Sequence, residues 1–442
     1  MNTYTAKPLI KAEKEPPTLG ELGRQLLPLS FSDAAMALAD PLVAVALARL
    51  PDPAVNLAAL GVVKAIAVLL ESPIIMVLHA STAVSGEAPS RLVFRRFVAG
   101  LSFILTLILL CLSLPEVYEW LMGRLYNLSA PVIAAARWPL LIMSLWPALI
   151  AWRRFYQGHL ILQGRGKAMG LASVLRVLSF AAILGLGNRF GTRGATLGAV
   201  AFMVGLIVEA VLVCGWAHSE EIPSRAPSAL LPHGLSGVAR YYAPLALTML
   251  LMWGGRAALV AVLARASDKD LALAAWAASW GFVILVANLT RMVQQLVIKY
   301  AHEVPVSRLV ALGGWSGLAS TLIVVALGHT DAGRVTMALL LGQDDTLGRA
   351  AQAVIALSVG IPLLVAMQNV LQGYCIVANR NRWINGAGLV GVVVTLGVAL
   401  AGVLQGFPGA NVGAAAITIG LIVEVVVLAL LKPWNLKPGC SN

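Results

Sequence analysis

Apolar runs of about 20 residues, each closed by charge, proline or glycine, recur along the chain and predict twelve helices. They lie at approximately 26–49, 56–83, 93–114, 130–153, 168–188 and 193–217, then at 239–265, 271–298, 306–328, 348–373, 383–404 and 409–432. A helix rises about 1.5 Å per residue, so runs of this length match the roughly 30 Å hydrocarbon core of a bilayer. The expected fold class is an all-α polytopic membrane protein of twelve transmembrane helices. Helices 1–6 (26–217) and 7–12 (238–432) would form two six-helix bundles. A polar linker over 218–237, holding Glu220, Glu221, Pro223, Pro227 and Pro232, would join them. Tails at 1–25 and 433–442 complete the division.

The two bundles share letters. Gly-Leu-Ile-Val-Glu stands at Gly205–Glu209 and again at Gly420–Glu424, each preceded by Gly-Ala-x-x-Gly (Gly194–Gly198, Gly409–Gly413) at an offset of 215 residues. At an offset of 216, Pro28-Leu29 matches Pro244-Leu245, Leu47-Ala48-Arg49 matches Leu263-Ala264-Arg265, and Leu57-Ala58-Ala59 matches Leu273-Ala274-Ala275. Gln157-Gly158 matches Gln372-Gly373, and Arg165 matches Arg380. Several matches in register indicate duplication. Six helices is an even number, so both halves insert the same way round. A pseudo-two-fold axis along the membrane normal would relate them, as in parallel transporter repeats.

Composition agrees. The chain of 442 residues is 59% hydrophobic and 12% charged, half the roughly 25% charge of a soluble domain. Its formal charge of +12 is scattered singly between apolar runs, without the compact basic patch of a nucleic-acid partner. With the N-terminus inside, nineteen Lys and Arg fall in inner segments and eight in outer ones, which predicts both termini in the cytoplasm of a multi-pass protein of the cell (inner) membrane. The four cysteines show neither paired nor metal-ligand spacing, and no cofactor or metal is expected. The sequence has no Gly-x-x-x-x-Gly-Lys-[Ser/Thr] loop, so ATP is not the expected drive.

Charges inside the spans carry the candidate chemistry, because an ionised group near the bilayer centre needs a partner or a watery cavity. Asp40 and Arg256 each lie twelve residues after the proline that opens their half. The repeat therefore puts opposite charges at equivalent depth in helices 1 and 7. Facing a central cleft, Asp40 would hold a proton or sodium ion and Arg256 would offer a guanidinium fork to a carboxylate or phosphate. Asp33, seven residues before Asp40 on the same face, and Glu71, beside Ser72-Pro73 at an expected kink in helix 2, extend the coupling-ion candidates. Arg137, Arg291 and Trp253 are further candidates for contact with a small-molecule substrate. Lys64 and Glu71 stand too far apart along one helix to pair, so each needs another partner. Glu209 and Glu424 recur identically, which favours a shared structural task such as capping backbone or pairing an arginine of helix 5 or 11's entry loop. The repeated glycines read as helix-packing points. Trp276 and Trp280, one turn apart on helix 8, read as interfacial or lipid-facing.

The 6+6 plan with Pro-Leu opening each half resembles the multidrug/oligosaccharidyl-lipid/polysaccharide (MOP) exporter superfamily, which includes the MATE transporters. Ala39-Asp40-Pro41-Leu42-Val43-Ala44 is similar to the Val-Asp-Thr-x-Met-x segment of MATE helix 1, with the Thr and Met replaced. Gly194-Ala195-Thr196-Leu197-Gly198 with Glu209, and Pro244-Leu245-Ala246-Leu247 with Arg256, resemble patches of the progressive-ankylosis (ANK-type) branch. In that branch the Gly-Ala-Thr-Leu-Gly run lies in the last helix, whereas its best match here is helix 6. The resemblance implies secondary active export of a small organic solute, anionic by the balance of intramembrane charge, driven by a proton or sodium gradient. A flippase for an anionic lipid-linked saccharide and a cation-coupled multidrug efflux pump are the alternatives. A membrane-embedded transferase has less support, because no loop carries a His-rich constellation.

Overall fold

The computed structural model describes residues 16–163, 165–187, 194–222, 234–341, 345–378 and 380–434, which are helical with no strand among them. Among the described residues, nine helices are long and apolar enough to cross a bilayer, and the bent pair Thr346–Leu357 with Ile361–Val377 makes a tenth. The remaining two predicted spans are helix 1, built from Leu19–Ala37 and Ala39–Leu47, and helix 7, Gly234–Leu263. Helices 2 to 6 comprise Pro53–Glu71 with Val77–Val84, Ala88–Leu112, Ala130–Ile142 with Trp146–Leu162, Gly166–Gly187 and Ala195–His218. Helices 8 to 12 comprise Lys269–Arg291 with Val293–Tyr300, Val306–His329, Asp345–Leu357 with Ile361–Val377, Asn381–Leu404 and Gly409–Leu430. Most of the linker, 223–233, lies outside the described residues.

Helix 1 starts at Leu19, earlier than expected from hydropathy. Thr18 and Glu21 form a capping box: the Glu21 amide donates to Thr18 Oγ1 (3.3 Å) and the Thr18 amide donates to Glu21 Oε2 (2.8 Å). Those bonds hold the Glu21 carboxyl below its ordinary range, so the cap weakens as pH falls through that lowered value.

Prolines set the breaks. Pro41 lacks the N–H that would reach the Ala37 carbonyl, and helix 1 is interrupted at Leu38. Pro73 does the same to Leu69 in helix 2, and the Ser72 hydroxyl donates to the freed Leu69 carbonyl at 2.6 Å. Pro147 and its repeat mate Pro362 follow the breaks of helices 4 and 10. Helix 8 breaks at Met292, the repeat position of Met76, although no proline stands there.

The two halves repeat one packing plan. Helices 5 and 6, 4 and 6, 2 and 4, and 3 and 4 are neighbours in the first half; helices 11 and 12, 10 and 12, 8 and 10, and 9 and 10 are neighbours in the second. The windows of helices 3, 5, 9 and 11 are the least buried, and Phe103, Leu322, Leu400 and Leu404 on them are exposed. Such surface belongs against lipid tails, which solvate it. Helices 2 and 8 meet at the centre. A Cβ on Gly61 would stand 2.9 Å from the Ala277 Cβ, and these two residues are related by the 216-residue offset. Equivalent residues touching each other is the signature of a two-fold axis between them.

Each half's first helix begins inside the other half. Leu22 and Leu26 of helix 1 are buried with Val293, Leu296 and Tyr374. Tyr242 of helix 7 packs on the rings of Phe94 and Phe97 and donates to the Pro73 carbonyl.

The repeated glycines are close-approach points, as expected. A Cβ on Gly198 would meet Leu60 at 2.4 Å, and one on Gly413 would meet Leu263 and Trp276 at 3.0 Å. Gly194 has φ +68°, and its Cβ would stand 2.4 Å from Asn56 Oδ1, the acceptor that caps helix 6 through the Ala195 amide (2.8 Å). Gly194→Ala is expected to lower stability by about 1–3 kcal/mol, read as earlier thermal unfolding in detergent.

Candidate functional site

The break at Leu38 leaves Asp40 in the first turn of the second segment of helix 1, where the helix dipole favours an anion. Lys64 of helix 2 forms an ion pair with it, and the Lys64 ammonium lies 4.9 Å from the centroid of the Phe202 ring. Helix 8 reaches this break closely, since a Cβ on Gly281 would stand 3.0 Å from the Asp40 Cβ. Across the two-fold axis, the 216-residue offset carries Asp40 to Arg256, Lys64 to Trp280 and Leu60 to Trp276. The ion pair of the first half is thus replaced in the second by an arginine and two indoles, whose rings stack at 4.6 Å.

All of these side chains line one cavity of about 290 Å³ between the halves, with walls from helices 1, 2, 6, 7, 8 and 12. Its acidic members already have cations. Asp40 has Lys64, while Glu71 accepts from Trp146 Nε1 at 2.9 Å and stands 3.8 Å from Arg154. Arg256 is different. It is exposed within the cavity, its guanidinium lies 4.3 Å from the centroid of the Trp253 ring, and among the described residues no carboxylate is within ion-pair distance. A planar cation held on an aromatic face, with its donors open to the cavity, can take a carboxylate, phosphate or sulfonate in a two-point grip.

The structure therefore brings together Asp40, Glu71, Trp253 and Arg256 from the sequence candidates and adds Lys64, Phe202, Trp276 and Trp280. Trp276 and Trp280 face the cavity instead of lipid. Their helix is central, and the repeat places them at the counterparts of Leu60 and Lys64. Arg137 does not line the cavity. It is exposed on helix 4, one residue past the buried Ala136, and its charge acts on Tyr118. Arg291 also stands off the cavity wall, at the end of the first segment of helix 8, with its charge felt at Arg256. The backbone of Asp33 is helical, but its side chain lies outside the described residues.

Glu209 and Glu424 are buried but hold different company. Glu209 accepts from Arg153 (2.6 Å), Arg176 (3.1 Å), Ser173 (3.2 Å) and Gln157 (3.4 Å). Glu424 accepts from Gln368 (2.6 Å) and Gln372 (3.3 Å). Glu209 is therefore paired with arginines, but from within helices 4 and 5 and not from the loop entering helix 5, whose Arg165 pairs with Glu220; Glu424 has no arginine partner among the described residues. At the 215-residue offset Gln368 replaces Arg153 and Gly391 replaces Arg176.

Hydrogen bonds join the two halves at one face of their interface. Arg265 donates to the Leu125 carbonyl (2.8 Å), Lys269 to Asn127 (2.6 Å) and Arg49 to Leu339 (3.0 Å).

Solved structures share this architecture. An inward-facing multidrug-resistance MATE transporter of the MOP superfamily is 15% identical with a TM-score of 0.64, over 92% of this chain and 93% of that one. The lipid II flippase MurJ, in an inward closed conformation, is 14% identical with a TM-score of 0.63, over 93% and 89%. A MOP-superfamily transporter from Pyrococcus furiosus, described as having a binding pocket of reverse polarity, is 12% identical with a TM-score of 0.56, over 95% and 98%. The fold is that of the MOP superfamily. No family model and no curated protein matches the sequence. The likeness extends over both halves and shows a MATE-like fold, which together with the apolar helices supports a multi-pass membrane protein. It does not bear on the ANK-type patches.

Proposed function

We propose that this protein is a secondary transporter for a small organic anion, working by alternating access between its two six-helix halves. The observation that carries the reading is Arg256, stacked on Trp253 inside the cavity between the halves with no carboxylate in ion-pair range among the described residues. An anion is the species that such a group recruits. The volume suits a small solute, since pockets for small molecules run from about 300 Å³ upward. It is narrow for a lipid-linked saccharide. The pocket of reverse polarity described for the Pyrococcus protein supports the idea that pocket polarity, and with it function, differs among proteins of this fold. Export is the direction implied by the superfamily, and the scattered Lys and Arg favour both termini in the cytoplasm of the cell membrane.

Proteoliposomes test this. With an imposed pH or sodium gradient, citrate or nucleotides are expected to move and cationic dyes are not. Flux of the dyes alone, or of nothing, overturns the reading.

The Asp40–Lys64 pair has its own expected result. Lys64→Met leaves Asp40 as an uncompensated negative charge facing the cargo, so anion flux falls. The double variant Asp40→Asn with Lys64→Met removes both charges and recovers most of it.

A further inference from the structure

The duplication provides an internal control for one buried carboxyl group. Glu209 and Glu424 occupy equivalent positions in helices 6 and 12, and both are nearly excluded from solvent. Around Glu209 two guanidinium groups stand within ion-pair distance. Around Glu424 the same two positions hold Gln368 and Gly391, and the other contact is the amide of Gln372. Both amides donate to Oε1. The space of the missing Arg176 counterpart is closed by backbone, since a Cβ on Gly391 would stand 3.2 Å from Glu424 Oε2.

The elements packed on helix 12 bring few other charges. Helix 10 offers the two glutamines, with Tyr374 and Cys375 further along, and helix 11 offers Gly391 and Thr395. Helix 7 brings Arg256, whose charge acts on Glu424. The physical link is short: Val392 of helix 11 packs on Gly255, and its neighbour Gly391 packs on Glu424. Helix 8 brings Arg291, whose charge acts on Arg256.

We infer that Glu424 is a proton-binding site, linked through Arg256 to the anion in the cavity. A carboxylate buried among neutral amides in a membrane is the kind that takes up a proton, whereas Glu209 between two arginines stays ionised. The linkage has a definite sign. While the guanidinium of Arg256 is uncompensated, it favours the charged form of Glu424. When an anion binds Arg256 that support is cancelled, and Glu424 binds a proton. By reciprocity a protonated Glu424 leaves Arg256 to the anion and strengthens its binding. The proton thus accompanies the anion instead of exchanging for it, and export runs down the anion's own gradient. This sense of coupling rests on the anion-transport reading; the proton site itself does not.

Infrared difference spectroscopy of the full-length protein in lipid nanodiscs tests the site without a ligand. Lowering the pH from 8 to 5 is expected to raise a carbonyl band of a buried carboxylic acid that Glu424→Gln removes and Glu209→Gln does not. Gln368→Arg, which copies the arrangement at Arg153 while keeping Glu424, is expected to suppress the same band. This second variant guards against misfolding of the first. Arg256→Gln, which imitates the neutralisation brought by a bound anion, is expected to enlarge the band at pH 7. A band unaffected by Glu424→Gln and Gln368→Arg overturns the proton site. A band that both remove but Arg256→Gln leaves unchanged overturns the linkage. Failure of anion flux in liposomes with this band present would count against the proposed function alone.

Discussion

Glu209→Gln is expected to unfold the first half at much lower temperature than the native protein. Its carboxylate is buried and holds Arg153 at 2.6 Å and Arg176 at 3.1 Å, from helices 4 and 5. A neutral amide would leave two mostly buried guanidinium groups close together with no counter-charge. Removing one partner of a buried ionic network costs about 3–5 kcal/mol. The same change at Glu424 leaves no buried guanidinium without its ion pair among the described residues and is expected to cost about 1 kcal/mol or less, the scale of one hydrogen bond. Thermal unfolding in detergent, followed by the loss of the monodisperse peak, compares the two. Equal destabilisation would show that the identical letters also do identical work.

The second large effect is on transport. Arg256→Gln removes the open cation of the cavity and breaks no ion pair among the described residues, so the protein should remain folded. Truncating one member of a charge pair between ligand and site costs about 2–5 kcal/mol, which is about 30-fold or more in affinity. Anion flux in proteoliposomes, measured below saturation, should fall by that factor. Arg256→Lys should recover part of it, because an ammonium restores the charge but lacks the planar fork.

The reach of the sequence follows from what a repeat can show. The equivalence of Asp40 and Arg256 was legible from their shared distance to Pro28 and Pro244, and both do line the cavity. The kink at Ser72-Pro73 was legible because proline has no amide hydrogen to give. The need of Lys64 and Glu71 for separate partners followed from helix geometry. Which partners they take did not, because Lys64 to Asp40 and Glu71 to Trp146 are contacts between helices.

Trp276 and Trp280 were misplaced toward lipid for a related reason. Composition gives the common fate of tryptophan, whereas only the packing of helix 8 against helices 1 and 2 turns this face inward. A signal was present, since the 216-residue offset sets Trp280 opposite Lys64. The divergence of Glu209 and Glu424 was likewise written in Arg153, Arg176, Gln368 and Gly391. Only the packing of helices 4, 5, 10 and 11 gathers those residues around the two carboxyls. The early start of helix 1 was announced by Thr18 and Glu21, but a hydropathy window passes over a polar cap.

The central claim is that the anion sits in the cavity between the halves, against Arg256. Ala65→Cys, on the cavity wall one turn beyond Gly61, tests it in a background whose four native cysteines are serine. The rate at which a water-soluble thiol reagent modifies this cysteine is measured with and without the anion that the liposomes carry. The expected result is strong slowing by the anion, lost in Arg256→Gln. Modification at an unchanged rate under saturating anion would contradict the account.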